Sequence, residues 1–381
     1  MITQTSKRLD VQGLRAVAVI SVILFHANLP GFSNGFVGVD VFFVISGFVI
    51  TGALARSEKE TLRSKLNEFY RKRIIRIVPA ATLTLLATAI ATYYFLGAFS
   101  AVGTLEDIRW ASFFSFNLRM INQGLDYFAS SGQQFSTVLH FWSLSVEEQF
   151  YFVYPLLVLA LIAISSSWER LAVWVIGVAS VASLLLAFSY QSSSTIVAFY
   201  SPFSRAWEFG LGCLVAVLIR SKERLVSNAA IWSWVSSFVL LAAFLLTDMQ
   251  PQLRLLLADM SAASIIYFGS SLTSNKKITP NWILSTKPFR YVGDISYSLY
   301  LWHYIWLAIP LQLAINGLDS TQITLSIAGA TACAIASYYL LEKPIRYSKF
   351  MNKNNLAPYL ILAFSLITVF ATCYLLEKYW S

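Results

Sequence analysis

Eleven stretches of mostly apolar residues fall at 11–29, 37–55, 79–99, 143–164, 171–190, 204–219, 230–247, 254–272, 291–313, 322–341 and 357–377. A helix needs roughly 20 such residues to cross the hydrocarbon core of a bilayer. The pattern therefore constrains the chain to an all-α fold, a polytopic transmembrane helix bundle of about 11 spans. Composition agrees, with 57% hydrophobic and 12% charged residues in 381, where soluble domains carry roughly 45–50% apolar and about 25% charged. The first stretch follows Lys7 and Arg8 but holds Arg15 and runs on without a small-residue cleavage site. It reads as a retained helix rather than a signal peptide. Cys213, Cys333 and Cys373 each lie inside an apolar stretch, which argues against disulfides and a cysteine-based metal site.

Lysine and arginine collect in alternate loops. Arg56, Lys59, Arg63, Lys65, Arg71, Lys72, Arg73 and Arg76 share one; Arg220, Lys222 and Arg224 another; Lys276, Lys277, Lys287 and Arg290 a third; Lys343, Arg346, Lys349 and Lys353 a fourth. The opposite loops hold little beyond Arg109 and Arg119. By the positive-inside rule the amino terminus is cytoplasmic, and an odd number of spans puts the carboxyl terminus in the periplasm. The net charge of +9 is then a topology signal rather than a sign of nucleic-acid binding. Residues 56–78 read as a cytoplasmic amphipathic stretch leading into the third span. Residues 100–141 form the longest outer loop, with the Ser-Gly-Gln run at 131–134, and loops of that length are usually functional or mobile.

The polar residues sort by depth. Arg15 and His26 flank ten residues in which only Ser21 is polar, and eleven residues of helix put them on one face about 16 Å apart. An arginine in hydrocarbon is costly enough to expect a use for it. On the inner side Arg15 is expected near Arg73 and Arg76, whose i, i+3 spacing places them on one helix face. Guanidinium groups bind oxyanions bidentately, so this trio suits an anion. On the outer side His26, Asp40, His140, Glu147, Glu148, Arg205 and Glu208 are expected to gather as an acid/base site.

The stretch from Leu9-Asp10 through Arg15 to His26, the run Gly35 to Phe48 around Asp40, and Phe69 to Pro79 with Arg73 and Arg76 carry a resemblance. So do His140 to Tyr151, Ser201 to Glu208, Ile295 to His303 and Glu342 to Arg346. In this order and over residues 9–346 the chain resembles the bacterial acyltransferase 3 family of integral membrane O-acyltransferases. The resemblance implies transfer of an acyl group, commonly acetyl from cytoplasmic acetyl-CoA, to a hydroxyl of an extracytoplasmic glycan such as lipopolysaccharide O-antigen, exopolysaccharide or peptidoglycan. It implies a site in the bacterial inner membrane. The family's span-one arginine and histidine match Arg15 and His26, and its Arg-x-x-Arg element matches Arg73 and Arg76. Larger relatives add a periplasmic hydrolase-like domain after an extra span. Here residues 1–356 are expected to be the acyltransferase domain and 357–381 an additional span, with no hydrolase-like domain.

The chemistry of the residues suits that assignment. Ester formation needs a base for the acceptor hydroxyl, and histidine titrates closest to working pH. His26 is the candidate base. Asp40 is expected to orient its imidazole, and Glu147 to share that part or hold the acceptor. Arg15, Arg73 and Arg76 are expected to hold the phosphates of CoA, while His140, Glu148 and Arg205 contact substrate. No permanently bound cofactor and no metal is expected; acyl-CoA is a substrate. Two other classes use similar residues. A proton-coupled transporter also places ionisable groups within helices, and a glycan-assembly protein without catalysis would tolerate loss of His26.

Overall fold

The computed structural model describes residues 8–55, 61–128, 136–221, 227–272 and 278–379. Arg56, Lys59, Lys222, Arg224, Lys276, Lys277 and the 131–134 run lie outside the described residues. Among the described residues the chain is helical, without strands. In chain order the helices are α1 (Leu9–His26), α2 (Gly38–Leu54), α3 (Leu62–Phe95), α4 (Gly97–Ser112), α5 (Phe116–Gln123), α6 (Phe141–Ile164), α7 (Trp168–Ser193), α8 (Thr195–Tyr200) and α9 (Pro202–Ser221). They continue as α10 (Ala229–Leu245), α11 (Pro251–Gly269), α12 (Pro280–Leu284), α13 (Lys287–Leu313), α14 (Ser320–Ser337), α15 (Lys343–Tyr347), α16 (Lys349–Lys353) and α17 (Ala357–Lys378). A 3-10 turn, Gly35–Val37, precedes α2, and a π turn, Tyr338–Glu342, joins α14 to α15.

Every apolar stretch of the sequence coincides with a helix, and among the described residues eight helical segments are long and apolar enough to cross a membrane. The other three stretches fall short of that measure for readable reasons. Helix α10 is 17 residues long. Helix α11 carries Arg254 and Asp259, and the span of α13 is diluted by Ser296, Ser298, His303 and Gln312.

Two expectations change. The amphipathic stretch and the third span are not separate elements, because α3 runs 34 residues straight through Pro79. Its start is capped by Thr61, whose hydroxyl accepts from the Ser64 amide at 3.3 Å, and Thr82, Thr84 and Thr88 turn their hydroxyls back onto carbonyls one turn earlier. Proline inside a membrane helix is tolerated when such groups re-satisfy the backbone. Much of the long outer loop is likewise ordered into α4 and α5. Helix α5 ends at Gly124, whose φ of 65° is the left-handed cap that glycine supplies. Arg119 holds the two helices together, donating to Glu106 at 2.6 Å and pairing with Asp107.

The chain divides into two compact units, the first made of Met1–Glu58, Pro155–Leu185 and Arg205–Ser296, the second of Lys59–Tyr154, Leu186–Ser204 and Tyr297–Ser381. Lipid is as apolar as leucine, so helices in a bilayer associate through close packing and polar contacts rather than through hydrophobic burial. The first unit uses both. A Cβ on Gly47 would overlap the Phe209 carbonyl and one on Gly212 the Val44 carbonyl, so α2 and α9 cross in parallel with their backbones touching. Phe43 stacks on Phe209 beside the crossing, at 4.4 Å between centroids. At the start of α1 a polar knot locks four segments. Arg8 donates to Asp10 at 2.8 and 2.7 Å and to the Ile266 carbonyl at 2.9 Å, and Asn281 donates to Asp10 at 2.8 Å and accepts from Ser233 at 2.6 Å.

In the second unit α17 lies along α3, and α4 joins them through Arg109 and Glu377 at 2.5 Å. The Tyr70 hydroxyl donates to the Phe152 carbonyl at 2.7 Å and ties α3 to α6.

Candidate functional site

Helix α1 is unbroken from Leu9 to His26, so Arg15 and His26 keep the shared face that their spacing predicts. Arg15 is partly buried; its Nε donates to Ser296 at 3.2 Å, and its guanidinium lies 5.8 Å from the Phe42 ring centre. His26, at the far end of α1, is partly buried with its ring 5.1 Å from that of Phe25.

Asp40 does not hold the imidazole of His26; Arg205 takes its Oδ1. The reason is packing. Gly38 sits directly on the Ala18 carbonyl and the Ser21 hydroxyl, which slides α2 down α1. Asp40 then lies level with the middle of α1, and the eight residues from Ala18 to His26 amount to about 12 Å. Arg205 pairs with Asp40 and, at 3.1 Å, with Glu208 one turn further along α9, and Asp259 of α11 acts on Arg205 and Asp40 electrostatically. Exposures of 1% for Asp40, 3% for Arg205 and 0% for both Glu208 and Asp259 keep a sugar away from Arg205 as the structure stands. The structure thus places Arg205 among buried acids rather than at an exposed surface.

The second unit contains a different constellation. Glu147 and Glu148 were expected at the outer surface, apart from Arg73 and Arg76. Instead Glu148 lies in the electrostatic field of both arginines, because the long α3 runs past α6 and carries them to its level. The Arg73 guanidinium covers the Tyr151 ring at 4.3 Å and approaches Phe69 at 5.4 Å, a cation–π arrangement that holds it in place. The Tyr151 hydroxyl donates to Glu147. A cavity of about 390 Å³, within the usual range of small-ligand sites, opens between Tyr70, Arg73, Phe114, Glu148, Tyr151 and Phe152. Glu148 Oε1 is buried there without a hydrogen-bond partner among the described residues. Tyr297 of α13 donates to the Ile77 carbonyl at 2.8 Å, next to Arg76, and shares its surroundings with Glu342 and Glu148. Glu342 accepts from Ser298 within the π turn, and such turns recur at functional positions. Arg73, Arg76, Glu147 and Glu148 thus form a single mixed-charge site with an accessible cavity, suited to an anionic ligand with an apolar tail.

His140 is also relocated. It is 1% exposed and its Nε2 donates to the Leu301 carbonyl at 3.1 Å. Its ring stacks on Tyr304 at 5.0 Å and stands 5.6 Å from that of His303, whose Nδ1 donates to the Tyr300 carbonyl at 2.6 Å. Tyr300 closes the arrangement, donating to the His140 carbonyl at 2.9 Å and sharing a hydrogen bond with Ser143 at 2.6 Å. His140 is thus buried and packed among the rings of Tyr300, His303 and Tyr304. Asp259 and Tyr151 are the residues that sequence reading passed over. Asp259 had a signal, an acid inside an apolar stretch; Tyr151 had none, since tyrosine is ordinary in a membrane helix. Among the described residues no cluster of histidine, cysteine and acidic groups could hold a metal ion.

Comparison with known proteins adds a family. Residues 8–378 match the family described as acyltransferase domain, and the match includes α17, which the sequence reading set apart. The chain is 30% identical over 363 residues to the peptidoglycan O-acetyltransferase OatA of Listeria monocytogenes, covering 90% of this chain and 56% of that protein. It is 30% identical over 361 residues to the O-acetyltransferase OatA of Staphylococcus aureus, covering 89% of this chain and 57% of the relative. The chain thus spans little more than half the length of these curated relatives. No solved structure is similar to it. With the motifs of α1, α2, α3, α6, α9 and α13 inside one match of nearly full length, this multi-pass membrane chain belongs to the acyltransferase 3 family.

Proposed function

We propose that this chain is a membrane O-acetyltransferase of the bacterial inner membrane, moving an acetyl group from cytoplasmic acyl-CoA to a hydroxyl of an extracytoplasmic glycan. Peptidoglycan is the acceptor favoured over lipopolysaccharide O-antigen and exopolysaccharide, because the Listeria relative is named for it. The observation that carries the reading is the unbroken α1, with Arg15 and His26 on one face at opposite ends. Arg15 supplies an anion-binding guanidinium on α1; Arg73 and Arg76 hold the phosphates of the donor, and the cavity beside Arg73 receives its slender arm. His26 takes the proton of the acceptor hydroxyl as the oxygen attacks the acyl carbonyl. The carbon–sulfur bond breaks, the ester forms, and the departing thiolate takes up a proton. Glu147, tethered by Tyr151, helps position a substrate, and Glu148 offers its buried oxygen to the same ligand. Asp40 contributes through the charge it shares with Arg205 rather than through contact with the imidazole.

Cells expressing the chain and fed labelled acetyl donor test this by mass spectrometry of their purified glycans. Labelled ester is expected with the parent chain and its loss with His26→Ala at equal membrane abundance. Undiminished acetylation in that variant overturns His26 as base; uptake of a glycan precursor without any ester product overturns the enzyme class.

A further inference from the structure

In the first unit three carboxyl groups, Asp40 of α2, Glu208 of α9 and Asp259 of α11, surround one guanidinium, Arg205, and all four residues are at least 97% buried. Asp40 and Glu208 pair with Arg205 directly, and Asp259 of a third helix acts on both Asp40 and Arg205 through its electrostatic field. Arg254, the nearest basic residue along α11, is occupied elsewhere, donating to the carbonyls of Leu246, Thr247 and Met249 at 2.8, 3.1 and 3.1 Å.

Two things are missing from this arrangement as charged groups. One is charge balance, since three carboxylates against one guanidinium leave two negative charges in a buried interior, where uncompensated charge is costly. The other is hydrogen-bond donors. Both oxygens of Asp259, both of Glu208 and Oδ2 of Asp40 have no hydrogen-bond partner among the described residues. The carboxyls of Asp40 and Glu208 sit against the same guanidinium, where two like charges repel unless one carries hydrogen. A proton meets both needs at once, because it removes one charge and turns an acceptor into a donor. A metal ion meets them poorly, as the guanidinium already occupies the cationic position among the three groups.

We propose that Asp40, Glu208 and Asp259, gathered around Arg205, form a buried proton-binding site that holds two protons at neutral pH. The site lies level with the middle of α1, between Arg15 and His26. It stands independently of the acyl-transfer reading, since its occupancy is set by charge balance alone.

Infrared difference spectroscopy of the purified full chain in lipid nanodiscs tests it, counting carboxylic-acid C=O groups that shift in D2O against the amide band. Charge balance predicts a loss of one such group per molecule in Asp259→Asn and in Glu208→Gln, since two carboxyls and one arginine then need a single proton. It predicts a gain of one in Arg205→Met, where three carboxyls have no cation. Unchanged counts in the folded variants overturn the proposal. Should none of the variants fold, the parent chain decides. A carboxylic-acid band at pH 7 that is indifferent to exchange of potassium for sodium supports protons, whereas absence of the band, or its loss in sodium, overturns them.

Discussion

Arg205→Met tests the energetic reading of the first unit. Arg205 and Asp40 have side-chain exposures of 4% and 1%, so deleting the guanidinium leaves the carboxylate no route to solvent. Removing one partner of a buried pair costs about 3–5 kcal/mol. An independent route gives a similar figure. If Asp40 escapes by taking up a proton, lifting a carboxyl of ordinary pKa near 3.9 to neutrality at pH 7 costs about 1.4 kcal/mol for each of roughly three pH units, or about 4 kcal/mol. That cost shrinks as the medium supplies protons, to about 1.5 kcal/mol at pH 5. The double variant Arg205→Met, Asp40→Asn needs no such proton and should regain most of the loss at either pH. Reversible unfolding titrations in mixed detergent micelles at pH 5 and 7, on the four proteins of the double-mutant cycle, measure these quantities. A coupling between the two sites below about 0.5 kcal/mol, the range of independent positions, would refute the reasoning. So would a pH-independent loss in the single variant.

Two further outcomes are expected. Arg73→Lys keeps the charge but loses the planar stack on Tyr151 and bidentate geometry; in membranes with a soluble glycan acceptor, KM for acyl-CoA should rise severalfold with kcat changed less, and a change in kcat alone would place Arg73 outside donor binding. Asp107, in α4 outside the membrane spans, has its carboxyl pushed above the ordinary carboxylate range by burial, against the opposing hydrogen bonds from Ser136 and Arg119. A group raised in this way contributes stability that is complete below its unfolded pKa near 3.9 and is lost as pH climbs through the folded value. Asp107→Asn should flatten that part of the stability profile, read as thermal unfolding across the acid range, while Arg119 keeps Glu106.

Apolar length made the helices legible, because twenty residues without charge have few other ways to fold in a bilayer. It did not give their ends. Nothing in residues 62–78 marks the polar segment as the same helix that continues beyond Pro79, since amphipathic and apolar halves share one backbone geometry. Depth was the larger difficulty. Asp40 and His26 are equally far from the loop that joins their helices, which puts them level if both helices begin at the loop. The 3-10 turn at Gly35–Val37 and the seat of Gly38 on Ala18 are backbone contacts, and they move Asp40 by more than two turns. The same limit applies to Glu148, whose company with Arg73 and Arg76 follows from how far α3 extends. Residue chemistry named most of the ionisable groups that matter; which of them meet was decided by glycine contacts and helix lengths.

Charge and access together separate the two ionisable clusters. Around Arg205 acids outnumber the cation three to one and no residue exceeds 3% exposure. An anion would be repelled there, and a sugar could not enter without unpacking the crossing of α2 on α9. Around Arg73 and Arg76 the two arginines face Glu147 and Glu148 at partial exposure, beside a cavity with room for a narrow chain and walls of Tyr70, Tyr151 and Phe152. A phosphate arriving there brings charge that the arginines can accept without stripping a buried partner. Only a site of the second kind can bind and release an anionic donor on every cycle. The first kind can exchange nothing larger than a proton while its helices stay packed.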